Sequence, residues 1–452
     1  MRRVCLTLPT DRACAATIAA VHQEAVYAVE HFDVEVHLLV LDSSGEADFA
    51  EHAAALRAAP AVPYLVPHHL DEAAQRAFLR QVIARTDPSG PDPSGPGADP
   101  DLLLDLMLPD RSSYGACTNR AFLIARALGC ASVHRRDSDS RYQLLDGVPV
   151  FPIEHELASL GRIAGEAAAD VTETVLDPAR ARRPVAMVAG SFVGELSVDI
   201  GEVQRLDPEV YHDMVSLWAP PEWSAEQKRE LVDESFRGAG TEPFSRDRTI
   251  LTVVDPMRVD MCNISFSQVQ ELVPLPPATD TIGSDYFLIH LVYDAGLPGV
   301  LHNRHIVNYY TGERRTDAGF TAYHLRLVKF FLSMLYFTAV YDGMAAAGES
   351  LLDGRGRVGA AAVVALLRES AGLDRTANVE RLRTLDRCYR RLGGRYAAFA
   401  DLLAARGPRL LDEARRDIED FALLTEAWGP LMRSAAAVGP RGLHRQLERN
   451  ST

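Results

Sequence analysis

The sequence lacks several features that mark large classes of protein. Its six cysteines, none of which belongs to a Cys-x-x-Cys pair, are Cys5, Cys14, Cys117, Cys130, Cys262 and Cys388. Their spacing argues against a zinc site and favours buried, reduced thiols in a cytoplasmic protein. The formal net charge of -15 argues against general nucleic-acid binding, which needs Lys and Arg to neutralise phosphates, and against a polybasic membrane attachment.

Long apolar runs are also absent. The longest strongly apolar run, Phe330 to Tyr341, is too short to span a bilayer as a helix, which takes about 20 residues. At the N-terminus two arginines precede a short apolar stretch, but Pro9 and Asp11 interrupt it. The start therefore predicts a first β-strand and not a signal peptide. We expect a cytoplasmic protein without a membrane or nucleic-acid partner.

The composition that remains is that of a globular protein. Hydrophobic residues make up 47% of the 452 residues and charged residues 24%, which is enough apolar material for a sizeable core. A chain of this length predicts two or three domains.

The first 42 residues follow the order of a parallel β-sheet. A β-rich run at Val4–Leu8 is followed by the loop Pro9–Arg12 and by a stretch of helix formers over 13–30. A second apolar run at Val34–Leu41 ends at Asp42. This strand, helix, strand order predicts a βαβ unit.

The later elements extend this α/β pattern. We predict a strand at 64–66, a helix over roughly 70–85, and a flexible Pro/Gly/Ser loop at about 87–100. Strands and helices alternate again from 249 to 310, and the pattern becomes helical after about 320. The predicted fold is an α/β domain with a Rossmann-like mixed sheet and flanking helices over 1–320, followed by an all-α domain over 321–452.

The segment 114–141 carries the most informative motif. Thr118 is a candidate N-cap for a helix that Gly129 would end, and a short strand at 131–134 follows. This strand leads directly into Asp137-Ser138-Asp139. Two aspartates at the carboxyl end of a strand can offer the hard oxygen ligands that Mg²⁺ or Mn²⁺ prefers. A cation there could neutralise the diphosphate that leaves during sugar transfer.

These motifs resemble the GT-A class of nucleotide-sugar glycosyltransferases, in particular glycosyltransferase family 2. The resemblance implies a GT-A fold and a nucleotide-binding role for the following residues: Pro9, Thr10, Arg12, Asp42, Asn119, Arg120, Asp137 and Ser138. The order Asn119-Arg120 is the reverse of the common Arg-Asn pair of that class.

The same resemblance assigns later residues. It implies that Asp285, in Gly-Ser-Asp-Tyr, faces the acceptor, and that Asp137 and Asp139 bind the metal together with His305 or, alternatively, His302. Arg314 would contact the diphosphate, because Arg matches phosphate geometry.

The sequence therefore predicts a metal-dependent glycosyltransferase of the EC 2.4 class that uses Mn²⁺ or Mg²⁺. Its donor would be a UDP-, GDP- or dTDP-sugar, and its acceptor a small soluble molecule such as a natural-product intermediate. If the enzyme inverts the anomeric configuration, Asp285 would be the general base; if it retains it, Asp285 would position the acceptor. The helical domain would shape the acceptor pocket or form a homodimer contact.

Two alternatives remain open at this point. A sugar nucleotidyltransferase would share the sheet and the metal aspartates, but it should carry a Gly-rich, Lys-containing loop where this chain has Pro9–Arg12. A non-catalytic, nucleotide-binding scaffold would suit the helical C-terminal part.

Overall fold

A computed structural model describes residues 1–86, 99–196, 198–220, 222–309 and 316–450. The strands are β1 Arg2–Thr10, β2 Val34–Asp42, β3 Leu65–Leu70, β4 Ser132–Arg136, β5 Ser140–Tyr142, β6 Leu144–Leu145, β7 Val148–Pro149, β8 Glu173–Thr174, β9 Met187–Ala189, β10 Phe192–Gly194, β11 Thr249–Thr252, β12 Asn263–Phe266, β13 Gly299–His302 and β14 Ile306–Asn308.

The α-helices are α1 Ala15–His31, α2 Glu46–Ala58, α3 Glu72–Ala84, α4 Pro100–Met107, α5 Tyr114–Leu128, α6 Ile153–Ser159, α7 Ala164–Ala167, α8 Gly201–Leu206, α9 Pro208–Val215, α10 Ala225–Glu234, α11 Val269–Leu272, α12 Phe287–Asp294, α13 Asp317–Ala347, α14 Ala360–Ala371, α15 Thr376–Leu392 and α16 Gly394–Asn450. Short 3-10 turns lie at Ala168–Asp170, Pro178–Arg180, Ser216–Trp218, Pro256–Arg258 and Gly348–Leu351.

The central layer is a mixed sheet. Within the described ranges it has nine strands in the order β3-β2-β1-β4-β12-β9-β13-β11-β8. β1 pairs in parallel with both β2 and β4, and β2 pairs in parallel with β3, whereas β12 runs antiparallel to β4. The predicted mixed α/β sheet with flanking helices is confirmed, and its N-terminal half is the parallel part.

The predicted strands and helices of this half form near their predicted positions, but α2 and α4 were not predicted, β3 extends to Leu70, and the start of α5 needs a correction. β2 is buried along most of its length because helices cover both faces of a parallel sheet. α5 ends at Gly129, which adopts φ 75 as predicted for a left-handed C-cap. The predicted N-cap Thr118 is wrong. α5 begins earlier, where the Ser113 side chain accepts a hydrogen bond from the Ala116 amide.

The C-terminal region is helical and packs directly on the sheet layer. α16 lies against α3 and α5 of the N-terminal half as well as against α13, α14 and α15. Trp428 in α16 is fully buried, and its indole nitrogen donates to the Gln270 carbonyl at 2.9 Å. One hydrophobic cluster therefore includes side chains from the sheet layer and from the helical region.

One helical stretch, Asp317–Leu351, is long and apolar enough to cross a membrane by length and composition alone. Half of its most apolar window is buried inside the protein. The core helix of a globular protein passes the same test, so this finding is weak evidence for a membrane span.

A buried ion-pair network fastens β4 to the helices on one face. The Arg136 guanidinium donates to Glu24 of α1 at 2.8 and 3.0 Å and to Glu156 of α6 at 3.0 Å. His134 lies 2.7 Å from Glu156, and Tyr142 donates to Glu24 at 2.5 Å. Burial raises the pKa of Glu156, but Arg136 and His134 outweigh that effect and lower it to about 2. The network fixes the strand that leads into the Asp-Ser-Asp turn.

Candidate functional site

A cavity of about 480 Å³ lies at the carboxyl edge of the parallel half of the sheet. From β1 the chain proceeds to β2 on one side, and β4 later joins β1 on the other side. The connections after β1 and β4 therefore diverge and leave a crevice. Ligands of open α/β sheets bind in a crevice of this kind.

Most of the side chains predicted from the sequence line this cavity. They are Pro9, Thr10, Arg12, Arg120, Asp137, Ser138, Asp139 and Asp285. Four separate stretches of chain contribute them, and strand order brings those stretches together. Their convergence is a finding, whereas the ligand that they would bind stays a prediction.

The loop after β1 and the turn after β4 form one polar rim. The Thr10 hydroxyl donates to the Arg12 carbonyl at 2.9 Å and so tightens the loop. Nη1 of Arg12 lies 3.7 Å from Oδ2 of Asp139. From α1, the Thr17 hydroxyl donates to the Ser138 carbonyl at 3.0 Å. These contacts hold the two segments side by side.

Arg135, the penultimate residue of β4, joins two acids of the cavity. Its side chain is 4% exposed, and Nη1 donates to Oδ2 of Asp285 at 2.5 Å while Nη2 lies 3.0 Å from Oδ1 of Asp137. The Asp285 side chain is buried, whereas the Asp137 side chain is 29% exposed. Arg135 therefore orients Asp285 from within the protein and leaves Asp137 facing the cavity.

Asp260 is a further acid of this cavity that the sequence analysis missed. It accepts hydrogen bonds from the Tyr286 hydroxyl and from the Cys262 amide. Burial raises the pKa of Asp260, the two hydrogen bonds oppose this, and the charge of Asp285 adds to it.

Strand pairing is the signal that could have found Asp260. β12 runs antiparallel to β4, with Asn263 opposite Arg136. The residues that precede β12 must therefore lie at the same sheet edge as the residues that follow β4. No local motif around position 260 indicates this position at the sheet edge, because strand pairing depends on the tertiary fold.

The acids of the cavity suit a divalent cation. Burial raises the pKa of Asp137 to about 7; Arg135 opposes the rise, and Asp139, Asp285 and Asp260 add to it. Arg135 contacts Asp137 and Asp285, and Arg12 lies near Asp139, so the four acids outnumber the two guanidinium groups that contact them. Carboxylate oxygens are the ligands that Mg²⁺ and Mn²⁺ prefer, so the donor set matches the predicted metal in charge and in chemistry.

The predicted histidine ligands do not join this set. Neither His305 nor His302 lines the cavity. Nδ1 of His305 accepts the Ser191 amide at 3.0 Å, and His302 is buried at the end of β13. His302 ends β13, which β12 and β9 separate from β4, whereas His305 precedes β14, the strand that pairs with β5 just after the Asp137-Ser138-Asp139 turn. Neither imidazole belongs to the cavity lining, and a histidine as third ligand stays a prediction.

Asp42 also differs from its predicted role as a nucleotide contact. It is 1% exposed and does not line the cavity. His52 and His69 lie 2.7 and 2.8 Å from its Oδ2, and the Ser44 amide donates to Oδ1 at 2.9 Å. Burial raises its pKa, but these hydrogen bonds outweigh that effect and hold it below the usual value. Asp42 thus organises the end of β2 from inside the protein.

Within the described ranges, one group of possible metal-binding side chains has three ligand atoms within 4.8 Å of one another. It consists of Asp42, His52 and His69. Nε2 of His52 accepts the Cys14 amide at 2.9 Å, so the neutral ring carries its proton on Nδ1, the atom that faces Asp42. A protonated nitrogen cannot bind a metal. The arrangement is therefore a hydrogen-bonded cluster.

The predicted Asn119-Arg120 pair splits into two roles. Asn119 is fully buried outside the cavity lining, where its amide donates to and accepts from the Leu275 backbone at 2.8 Å. It holds a loop, and its contact with a nucleotide stays a prediction that the cavity lining does not support. Arg120 lines the cavity and is fixed by Gln75 and by the Met107 carbonyl at 2.8 and 2.7 Å.

Two predictions fall outside the described residues. Arg314 belongs to the segment 310–315, and most of the predicted flexible loop belongs to 87–98. Neither prediction is tested by the structure.

Aromatic side chains also line the cavity. We define its aromatic wall by Trp218, Phe236, Phe330, Phe337 and Tyr341, all of which line the cavity. No role for Trp218 could be predicted from the sequence, because its ring partners lie elsewhere in the chain.

Comparison with known proteins places this geometry in a family without an assigned activity. The family described as "Family of unknown function (DUF6271)" matches residues 2–444. A solved structure of the mannosyltransferase PcManGT from Pyrobaculum calidifontis, in complex with GDP-Man and Mn²⁺, is 12% identical and has a TM-score of 0.36. That likeness covers 92% of this chain and 86% of the other, and at this TM-score it says nothing about function. No curated protein matches the chain.

Proposed function

The chain belongs to this family of unknown function, and we propose that it is a metal-dependent glycosyltransferase that moves a sugar from a nucleotide-sugar donor to a small acceptor. The observation that carries the proposal is the convergence of the Pro9–Arg12 loop, the Asp137-Ser138-Asp139 turn and buried Asp285 around one cavity at the switch point of a parallel sheet. The cavity volume of about 480 Å³ is within the usual range of small-molecule sites.

Asp137 and Asp139 would hold the cation. When bound, a divalent ion neutralises the charge that develops on a leaving diphosphate. Thr10 and Arg12 would contact the nucleotide from the facing loop, since Arg12 reaches across the rim toward Asp139. These acids and this arginine give the rim both signs of charge, as a metal–diphosphate ligand requires.

Asp285 would act on the acceptor side. Arg135 fixes its Oδ2 at 2.5 Å, so the position of the carboxylate is set before a ligand arrives. In an inverting reaction Asp285 would accept the proton of the acceptor hydroxyl or amine. In a retaining reaction it would position the acceptor by a hydrogen bond. The cytoplasmic location and the UDP, GDP or dTDP donor class belong to the same proposal.

Calorimetry with UDP, GDP and dTDP, in Mn²⁺ and in EDTA, tests the proposal. We expect the wild type to bind one of these nucleotides in Mn²⁺, and we expect EDTA to weaken the binding by at least about tenfold. The double variant Asp137→Asn/Asp139→Asn should lose the metal dependence, because amide oxygens do not supply the charge that holds the cation. Asp146→Asn, in the exposed β6–β7 turn, is the matched control and should bind like the wild type.

Each other result would count against the proposal. Binding that EDTA leaves unchanged would remove the role of Asp137 and Asp139. Absence of nucleotide binding by a protein with an intact thermal unfolding transition would favour a scaffold function.

A further inference from the structure

The aromatic wall indicates the chemical class of the acceptor, an inference that rests on the proposed glycosyltransferase function. α13 contributes one continuous face to the cavity. Its lining residues Tyr323, Phe330, Met334, Phe337 and Tyr341 recur at helical spacing on that face. These side chains therefore form one face of α13 that lines the cavity.

Two rings from another part of the chain complete the wall. The rings of Trp218 and Phe236 are stacked, with centroids 5.4 Å apart and planes 21° apart. Phe330 meets Trp218 edge-on at 5.7 Å, with planes 71° apart. The three rings form a corner with faces and edges of the kind that a further flat ring prefers to contact.

Phe236 is held in an unfavourable backbone conformation. Its φ is 65, in the left-handed region that a bulky residue seldom adopts. Such conformations persist where the surrounding structure imposes them, and they cluster at ligand sites. Here the conformation places an aromatic ring against Trp218 at the cavity, where a glycine would satisfy the backbone at lower cost.

Ser284 supplies a polar contact beside the aromatic wall. It lines the cavity and is 3% exposed, and its hydroxyl has no hydrogen-bond partner in the part of the chain that the structure describes. A buried hydroxyl without a partner is costly, so a ligand group that bonds to it would be favoured. Ser284 adjoins Asp285, and the Phe330 ring lies against neighbouring Gly283.

We propose that the acceptor is a small, flat, apolar ring system that carries the hydroxyl or amine to be glycosylated. Its rings contact Trp218, Phe236 and Phe330, and its nucleophile lies between Ser284 and Asp285. A sugar acceptor fits this chamber less well, because the apolar face of α13 would leave many of its hydroxyls unpaired. An acceptor that shares about 480 Å³ with the donor has room for a few rings and not for a long lipid chain.

Binding of 2-naphthol to the full chain, measured by calorimetry without donor, tests the aromatic contact. We expect 2-naphthol to bind and methyl β-glucoside not to bind. Phe236→Gly should weaken 2-naphthol binding by about tenfold, because it removes one ring of the corner. The substitution relieves the backbone but removes a ring that packs against the core, so the thermal unfolding transition of the variant is measured together with its binding.

Tyr64→Gly is the matched control. Tyr64 has φ 66 and is exposed outside the cavity, so this variant changes the same backbone conformation and also removes a ring. It should bind 2-naphthol like the wild type. Equal weakening in both glycine variants, absence of 2-naphthol binding, or preference for the glucoside would each overturn the inference.

Comparison of 2-naphthol with naphthalene tests the polar contact. The wild type should prefer 2-naphthol, and Ser284→Ala should lose most of that preference while it still binds naphthalene. A preference that Ser284→Ala leaves intact would overturn the place assigned to the nucleophile.

The two proposals fail separately. If a nucleotide binds with Mn²⁺ and 2-naphthol does not bind, the glycosyltransferase proposal stands and the acceptor class is wrong. If 2-naphthol binds in a way that depends on Phe236 and no nucleotide binds, the cavity is an aromatic-ligand site and the assigned acceptor role is wrong.

Discussion

Asp294, the last residue of α12, has a carboxylate whose burial is poorly offset by hydrogen bonds or opposite charges. Its Oδ2 is buried without a hydrogen-bond partner among the residues that the structure describes. Burial, and after it the charge of Asp342, raises the pKa of Asp294 to about 7. The folded protein therefore binds this proton more tightly than the unfolded chain does, and Asp294 lowers stability as the pH rises from about 4 to about 7.

The variant Asp294→Asn should remove that loss. We expect its free energy of unfolding to exceed that of the wild type by about 1 kcal/mol at pH 8, a modest figure because part of the side chain reaches solvent. The difference should shrink as the pH falls to 5. Urea unfolding at both pH values measures it, with Asp146→Asn as control. A difference that does not change with pH would contradict the assignment.

Single site residues could be predicted from the sequence where their role is local. Asp137 and Asp139 follow directly from a strand and an Asp-x-Asp spacing, and both line the cavity. Asp42 and Asn119 lie outside the cavity lining because other segments of the chain hold their side chains, and their nucleotide contacts stay predictions. His69 and Leu275 occupy their polar atoms, and no short motif reveals such contacts.

Among the elements, β4 depends most on a buried charge. Arg136 is 1% exposed, and both Glu24 of α1 and Glu156 of α6 are fully buried beside it. Desolvation offsets much of the attraction within such a network, but removal of one partner leaves the other charges buried and uncompensated. The network therefore sets the position of β4 relative to two helices more than it adds net stability.

The variant Arg136→Met should destabilise the fold by about 3–5 kcal/mol, because two carboxylates would remain buried without their cation. The matched control Arg162→Met breaks the exposed pair with Asp170 and should cost at most about 1 kcal/mol. Denaturant midpoints of the two variants measure the difference. Similar small losses would show that the Arg136 network is solvated.

Element order was predictable for the N-terminal half because each strand and helix has its own pattern. The predicted strand at Val34–Leu41 became β2 Val34–Asp42, and the predicted helix at 70–85 became α3 Glu72–Ala84. The distance of β13 from β4 was not predictable, since strand order is decided by tertiary pairing. The sequence therefore could not show that His302, at the end of β13, lies outside the cavity lining.

At the scale of the whole molecule, the sheet layer and the helical region share one hydrophobic core. Trp428 of α16 is fully buried and bonds to the Gln270 carbonyl, which belongs to the segment that follows β12. The predicted boundary at residue 320 therefore marks a change of secondary structure, and it stays a prediction as a boundary between independent domains.

The chain should accordingly unfold in a single transition. Far-UV circular dichroism and tryptophan fluorescence should give the same urea midpoint, because loss of the shared core removes the support of both regions. A fragment ending at residue 309 should fail to give a cooperative transition. Two separate midpoints would instead support independent domains on either side of residue 320.

The packing of α16 on α3 and α5 also has a consequence for synthesis. α5 ends at Leu128, whereas α16, which covers it, begins at Gly394 and is interrupted by non-helical backbone at Gly439. At 5–20 residues per second, a ribosome needs roughly 15–60 s to produce the intervening chain. Throughout that interval the nascent N-terminal half exposes an apolar face that its own sequence cannot yet bury. α16, which is translated long after α3 and α5, is thus the helix that covers this apolar face.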